Sequence, residues 1–194
     1  MSNEWRYGDS CVSTGDLKEP PLFIVIHIMS APTPTIWYEL EILPLDPANL
    51  PFYPVALYNR PDGNAGFDLH AVASLSVAGS PQLIPFGIVV RLLKVTQIDD
   101  ALIKEDSNFW VLPRSSIYKT GLIMANSVGV IDKSYRGELK APVVSLTGHS
   151  TVSHGERLFQ IVAPDMGWIR HVRVVDSLPA TERGQGGFGS TGTS

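Results

Sequence analysis

Residues 122–146 read LIMANSVGVIDKSYRGELKAPVVSL, two apolar, branched segments on either side of a polar corner. Leu122 to Asn126 and Leu139 to Leu146 are strand-like. Between them, Gly129 to Glu138 reads as a hairpin with Asp132, Lys133 and Ser134 at its tip. The same texture extends outward in both directions. Ile36 to Leu43, Leu69 to Val77, Phe86 to Val95, Phe109 to Leu112, Leu158 to Val162 and Trp168 to Val175 are short apolar runs, separated by Pro, Gly, Asn or Asp. Many short strands with such punctuation make an all-β sandwich or jelly roll. Only Asp99 to Asp106 offers a helical stretch, expected as a small surface insertion.

Three organisational segments follow. Residues 1–34 carry Pro20, Pro21, Pro32 and Pro34, scattered charge and one apolar burst, Leu22 to Met29. They read as a flexible extension, with an added edge strand over Leu22 to Ile28 as the competing reading and Met29 as an alternative start. Residues 35–180 hold the β domain. Residues 181–194 contain five glycines and one large apolar side chain, Phe188; fixing such a segment costs much backbone entropy, so it is expected to order only over a ligand.

Composition narrows the function. The chain has 194 residues, 44% of them hydrophobic and 18% charged, with a formal net charge of −4. That is enough apolar material for a core and thinly charged, which suits a surface partly given over to subunit contacts. No basic run exists to follow a polymeric nucleic acid, so an anionic ligand must be gripped locally. Cys11 is the only cysteine, which excludes an intrachain disulfide and fits a reducing compartment. The apolar burst is too short to cross a bilayer and lacks the flanks of a secretory signal, so no membrane role is expected. The five histidines show no metal-binding spacing, and no zinc site is expected.

Five stretches carry chemistry. In RGQGGFGSTG, residues 183–192, glycine N–H groups, Arg183, Ser190 and Thr191 can cradle phosphate oxygens, and Phe188 can stack on a planar ring; a plain flexible tail would read similarly. It is not a Walker A loop. Arg114, Ser115 and Ser116 end the strand Phe109 to Leu112 and can grip a phosphate, or simply form a solvated turn. At the corner, Asp132 is either a turn residue or a base that deprotonates a water beside a phosphoanhydride, and Tyr135 can pack flat on a sugar. Asp68, in AGFDLHA from Ala65, is a turn carboxylate or a water-mediated partner of a phosphate-held magnesium ion. In GERLFQ from Gly155, Glu156 and Arg157 read as a surface pair, while Gln160 inside an apolar strand invites a hydrogen-bonding role.

Taken in order, AGFDLHA, PRSS (113–116), NSVGVIDKSYRGEL (126–139), GERLFQ and the tail resemble the five motifs of the trimeric dUTP pyrophosphatases, the dUTPases, over roughly Ile36 to Gly192. The resemblance implies a distorted jelly-roll homotrimer with active sites at subunit interfaces and a glycine-rich C-terminal arm closing each. It implies hydrolysis of dUTP to dUMP and pyrophosphate with Mg2+, limiting uracil entry into DNA and supplying dUMP for thymidylate synthesis. By the same likeness, Asp132 activates water and Tyr135 excludes ribonucleotides. Asn126, Ser127, Gly129 and Val130 belong to the uracil-recognising hairpin. Asp68 meets magnesium through water; Arg114, Ser115, Ser116 and Gln160 contact phosphates. In the arm, Phe188 stacks on uracil, and Arg183, Gly189, Ser190 and Thr191 lie near the phosphates.

Three departures stand out: Ser116 where glycine is commoner, an apparent insertion at 97–107, and everything before Ile36. The related dCTP deaminases carry a catalytic glutamate five residues beyond the glycine matching Gly137; here that position is Pro142, which cannot act as acid or base. A non-catalytic nucleotide sensor is the other alternative. A cytoplasmic, nuclear or virus-encoded enzyme would read alike.

Overall fold

The computed structural model describes residues 33–53, 58–60 and 63–187, all within the unit Pro32–Ser194. Almost all of the N-terminal extension, and Phe188, Gly189, Ser190 and Thr191 of the arm, lie outside the described residues.

Strands dominate. β1 (Thr35–Pro44) is followed, after a 3-10 turn at Pro47–Phe52, by β2 (Tyr58–Asn59), β3 (Gly66–Leu69), β4 (Leu75–Val77) and β5 (Gln82–Pro85). Next come β6 (Ile88–Ile98), β7 (Ala101–Ser107) and β8 (Phe109–Pro113), then a second 3-10 turn at Ser115–Lys119. The series closes with β9 (Leu122–Met124), β10 (Gly129–Ile131), β11 (Lys140–Ser145), β12 (Ser150–Val152), β13 (Phe159–Val162) and β14 (Ile169–Val174). They form sheets ordered β2-β14-β1-β6-β7, β10-β8-β13-β3, β5-β11-β9 and β12-β4. β1 and β14 run parallel, and every other described pairing is antiparallel. This is the all-β architecture expected from the sequence.

Alternation explains the core. In β1, Tyr38, Leu40 and Ile42 are buried and join Ile88, Val90 and Leu92 of the paired β6 in one apolar cluster. In β13, Phe159 and Ile161 are fully buried, while Gln160 between them is only half-buried and turns to the other face. Phe86 packs against Phe159 with ring centroids 5.9 Å apart, tying the loop before β6 to the four-stranded sheet.

Two local expectations are overturned. Asp99 to Asp106 is no helix: Asp99 and Asp100 form a two-residue turn, with Asp99 at φ 51°, and Ala101 onward pairs back on β6 from Ile98↔Ala101 to Leu92↔Ser107. A short tight turn of this kind suits the twist of a β-hairpin, and aspartate tolerates the left-handed conformation better than most residues. The second correction concerns Gly129 to Glu138, which is not a hairpin. β10 pairs with β8, whereas β11 pairs with β5 and β9, so the segment is a corner carrying the chain from one sheet to another.

Candidate active site

One end of the four-stranded sheet builds a charged cleft. Register places Asp68 of β3 beside Gln160 of β13, and Gln160 beside Leu112 of β8, so Arg114 emerges next to both. The Arg114 backbone N–H is held by Leu158 O at 2.8 Å, and its Nη1 donates to Arg157 O at 2.9 Å. Its Nε lies 2.8 Å from Asp68 Oδ1, while Arg157 Nη1 reaches Asp68 Oδ2 at 3.2 Å. Arg60 Nη2 donates to Gly66 O at 2.7 Å. Arg60, Asp68, Arg114, Ser115, Arg157 and Gln160 line a cleft of about 620 Å³. Among the described residues, the Arg114 and Arg157 guanidinium groups share the single Asp68 carboxylate, an excess of one positive charge. His70, also in the wall, adds none at neutral pH, because burial lowers its pKa from the ordinary 6.5. A concave, net positive surface of this kind concentrates polyanions.

Glycine is required at the floor. A Cβ on Gly66 would collide with the side-chain amide of Gln160, whose Nε2 is 3.4 Å from Pro113 O. The two strands are thus close enough for Gln160 to present its amide at the cleft only because residue 66 has no side chain.

The second cleft, of about 220 Å³, lies at the corner and is lined by Asn126, Gly129, Val130, Asp132, Tyr135 and Arg183, among others. Gly129 allows β10 to approach β8 and β9: a Cβ there would lie 3.1 Å from Val111 Cβ and 3.2 Å from Met124 Cε. Ser127, at φ 62°, turns the chain between β9 and β10 and lies outside the cleft wall. The Tyr135 N–H donates to Asp132 O at 2.9 Å, closing a turn that leaves the Asp132 carboxylate half-exposed. Tyr135 donates its hydroxyl to Glu138 O at 3.0 Å, and burial raises its pKa above the ordinary 10.0. Its ring lies so close to Gly137 that a Cβ there would come within 2.6 Å of Cζ.

The root of the arm docks on this corner. Thr181 Oγ1 donates to Ser134 O, the Arg136 N–H donates to Gly184 O at 2.8 Å, and Arg183 pairs with Asp132. The Arg183 guanidinium also sits 5.7 Å from the Tyr135 ring centroid.

The sequence-derived residues therefore fall into two groups. Asp68, Arg114, Ser115 and Gln160 meet in the charged cleft; Asn126, Gly129, Val130, Asp132, Tyr135 and Arg183 meet at the corner. The two clefts share no lining residue, and Ser116 lines neither. Within one chain they are far apart. Arg114 follows the last residue of β8, whereas Asp132 follows Ile131, which pairs with Phe109 at its first. Five residues of extended chain separate those ends by roughly 16 Å.

Arg157 and Arg60 were not expected here. Arg157 does not pair with its neighbour: Glu156 Oε2 caps the Ser153 N–H at 2.9 Å, and Arg157 reaches across to Asp68. The sequence signal for Arg60 was an arginine in the turn leading into AGFDLHA.

An all-β fold with a cationic cleft and a separate carboxylate-bearing pocket suits small anionic ligands. Sequence comparison makes it particular. The dUTPase family model matches residues 55–192, and the chain belongs to that family. It is 35% identical over 159 residues to the deoxyuridine 5'-triphosphate nucleotidohydrolase of Tolumonas auensis, covering 79% of this chain and 96% of that protein. It is 36% identical over 133 residues to the one from Escherichia phage T5, covering 66% and 86%. Among solved structures, a point mutant of the Staphylococcus bacteriophage 80alpha dUTPase with dUpNHpp aligns over 79% of this chain and 98% of its own at 19% identity, with a TM-score of 0.47.

Proposed function

We propose that the chain hydrolyses dUTP to dUMP and pyrophosphate in a homotrimer, with Asp132 activating the attacking water. The supporting observation is the division of the motif residues between two clefts, Asp68, Arg114, Ser115 and Gln160 in one and Asn126, Asp132, Tyr135 and Arg183 in the other. A nucleotide bridging the corner of one chain and the charged cleft of another would meet both sets. Oligomers with closed symmetry repeat one such junction at every subunit boundary.

At that junction the Asp132 carboxylate accepts a proton from water as the water oxygen attacks the α–β phosphoanhydride. The bond to the pyrophosphate leaving group breaks, and the transferred phosphorus keeps the nucleoside side as dUMP. Arg114, Arg157 and Arg60 neutralise the charge that accumulates on the departing oxygens. Tyr135 packs on deoxyribose, and the backbone from Asn126 to Val130 reads the base. By the family resemblance, Phe188 would stack on uracil and Gly189, Ser190 and Thr191 would serve the phosphates. Arg183 must leave Asp132 before that carboxylate can hold a water, which gives the triphosphate a role in releasing it.

The donor set suits Mg2+ that arrives with the triphosphate. Among the described residues lining the cleft Asp68 is the one carboxylate, and the described residues contain no cluster of three or more metal-ligating side chains. Asp68 would hold the ion through water, and the ion would supply charge neutralisation along the phosphate chain. Removal of dUTP would limit uracil entry into DNA, and the dUMP released would feed thymidylate synthesis. Among the described residues no helix is long and apolar enough to cross a membrane.

The test is pyrophosphate release with Mg2+ from dUTP, dTTP, dCTP and UTP in parallel. Release confined to dUTP is expected; no release from dUTP, or equal release from all four, overturns the assignment.

A further inference from the structure

The inserted hairpin of β6 and β7 faces the corner where Asp106 meets Arg136. At the end of β7, Asp106 pairs with Leu93 in register and its carboxylate binds Arg91. Arg91 in turn lies 3.4 Å from Glu41, a carboxylate only 4% exposed that also takes Arg173. On its other side, Asp106 Oδ1 is 4.0 Å from Arg136 Nη2. The Arg136 side chain is only 9% exposed and lies in the corner next to Tyr135. Its Nη1 donates to Lys133 O at 2.7 Å and to Tyr135 O at 2.9 Å, and its Nε donates to Pro179 O at 3.1 Å. Nη2 has no hydrogen-bond acceptor in reach, so Asp106 is the anion that faces it.

One buried guanidinium therefore joins three segments: the turn that carries Asp132, the approach to the arm and the inserted strand. Two of the three carbonyls it holds, Lys133 O and Tyr135 O, belong to the turn and flank Ser134. Burial and the neighbouring Arg91 lower the Arg136 pKa, while Asp106 and Glu41 oppose that and favour its charged form. An arginine is needed because a planar fork can serve several acceptors at once, which an ammonium cannot do in the same geometry.

We propose that Arg136 is a positioning residue for Asp132 and Tyr135, and that the inserted strand β7 sets its orientation through Asp106. This rests on the reading of Asp132 as the water-activating group. A carboxylate displaced by about 1 Å from its water loses up to roughly a hundredfold in rate.

The experiment compares full-length wild type, Arg136→Lys, Asp106→Asn, the double variant and Asp132→Asn for kcat and KM on dUTP and for thermal midpoint. Arg136→Lys should lower kcat about tenfold with KM within about twofold, the signature of a lost transition-state interaction. Asp106→Asn, at a partly exposed position, should lower kcat about threefold with an unchanged midpoint, and the double variant should be no worse than Arg136→Lys alone. Native kcat in Asp106→Asn, additive losses in the double variant, or a midpoint that falls in step with kcat overturns the proposal. If Arg136→Lys does not fold, Asp106→Asn decides alone. An active Asp132→Asn would remove the reading beneath; an inactive Asp132→Asn beside a native Asp106→Asn removes only this inference.

Discussion

Gly66 and Gln160 show how a single missing side chain makes room for a functional one. Because a Cβ at 66 would meet the Gln160 amide rather than backbone, Gly66→Ala should leave the fold intact and push the amide out of the charged cleft. The expected outcome is KM for dUTP raised about tenfold with a thermal midpoint within about 2 °C of wild type, read from steady-state kinetics and a melt. His70 carries a different residue-scale expectation. Its ring stacks on Phe52 at 5.1 Å and lies edge-on to Tyr53 at 5.7 Å, and burial is the main cause of its lowered pKa. Nearby Arg157 and Arg114 reinforce that lowering, while a hydrogen bond to the Gly155 backbone and the Asp68 carboxylate oppose it. The unfolded chain therefore binds a proton at pH values where the folded chain does not. His70 contributes stability above its ordinary 6.5, and that contribution is lost as pH falls toward the folded value. Thermal midpoints should decline from pH 7 to pH 5, and less steeply in His70→Gln; parallel slopes would contradict the assignment.

At the scale of elements, β13 is the strand on which the site hangs, since it lies between β8 and β3 and sets Gln160 between Asp68 and the approach to Arg114. Its anchor is Phe159, fully buried against Phe86. Phe159→Ala should cost about 3–5 kcal/mol of unfolding free energy in a denaturant titration. A loss below about 1 kcal/mol would mean the strand is held by its ladder rather than its core face. Strands such as β1, β6 and β13 were legible in the sequence because one face is buried and their residues alternate or run apolar. β7 was not, because its residues from Ala101 to Glu105 are exposed on both faces and leave no period to read. The corner was misread for another reason: local sequence marks a turn at Asp132 to Ser134 but cannot say that the strands on either side belong to different sheets. Arg157 was hidden in the same way, since only strand register reveals that its nearest carboxylate is Asp68 and not Glu156.

For the whole molecule, the separation of the clefts carries the most weight. The sequence motifs named most of the residues in each, but spacing along the chain could not show that Asp132 and Arg114 stand at opposite ends of β8. Within one chain the two stand roughly 16 Å apart along that strand, and the reaction we propose has neighbouring chains share each site. Asp132→Asn should abolish turnover through loss of the base, and Arg114→Ala through loss of the phosphate grip. In the proposed homotrimer the two lesions would sit on different chains at any one site. The most direct measurement is therefore dUTP hydrolysis by Asp132→Asn and Arg114→Ala proteins, each assayed alone and after co-refolding in equal amounts. Each alone should be nearly inactive, and random mixing should restore about a quarter of the sites, because half of the chains supply an intact corner and half an intact cleft. A mixture no more active than its components, from subunits shown to have mixed, would contradict the shared site.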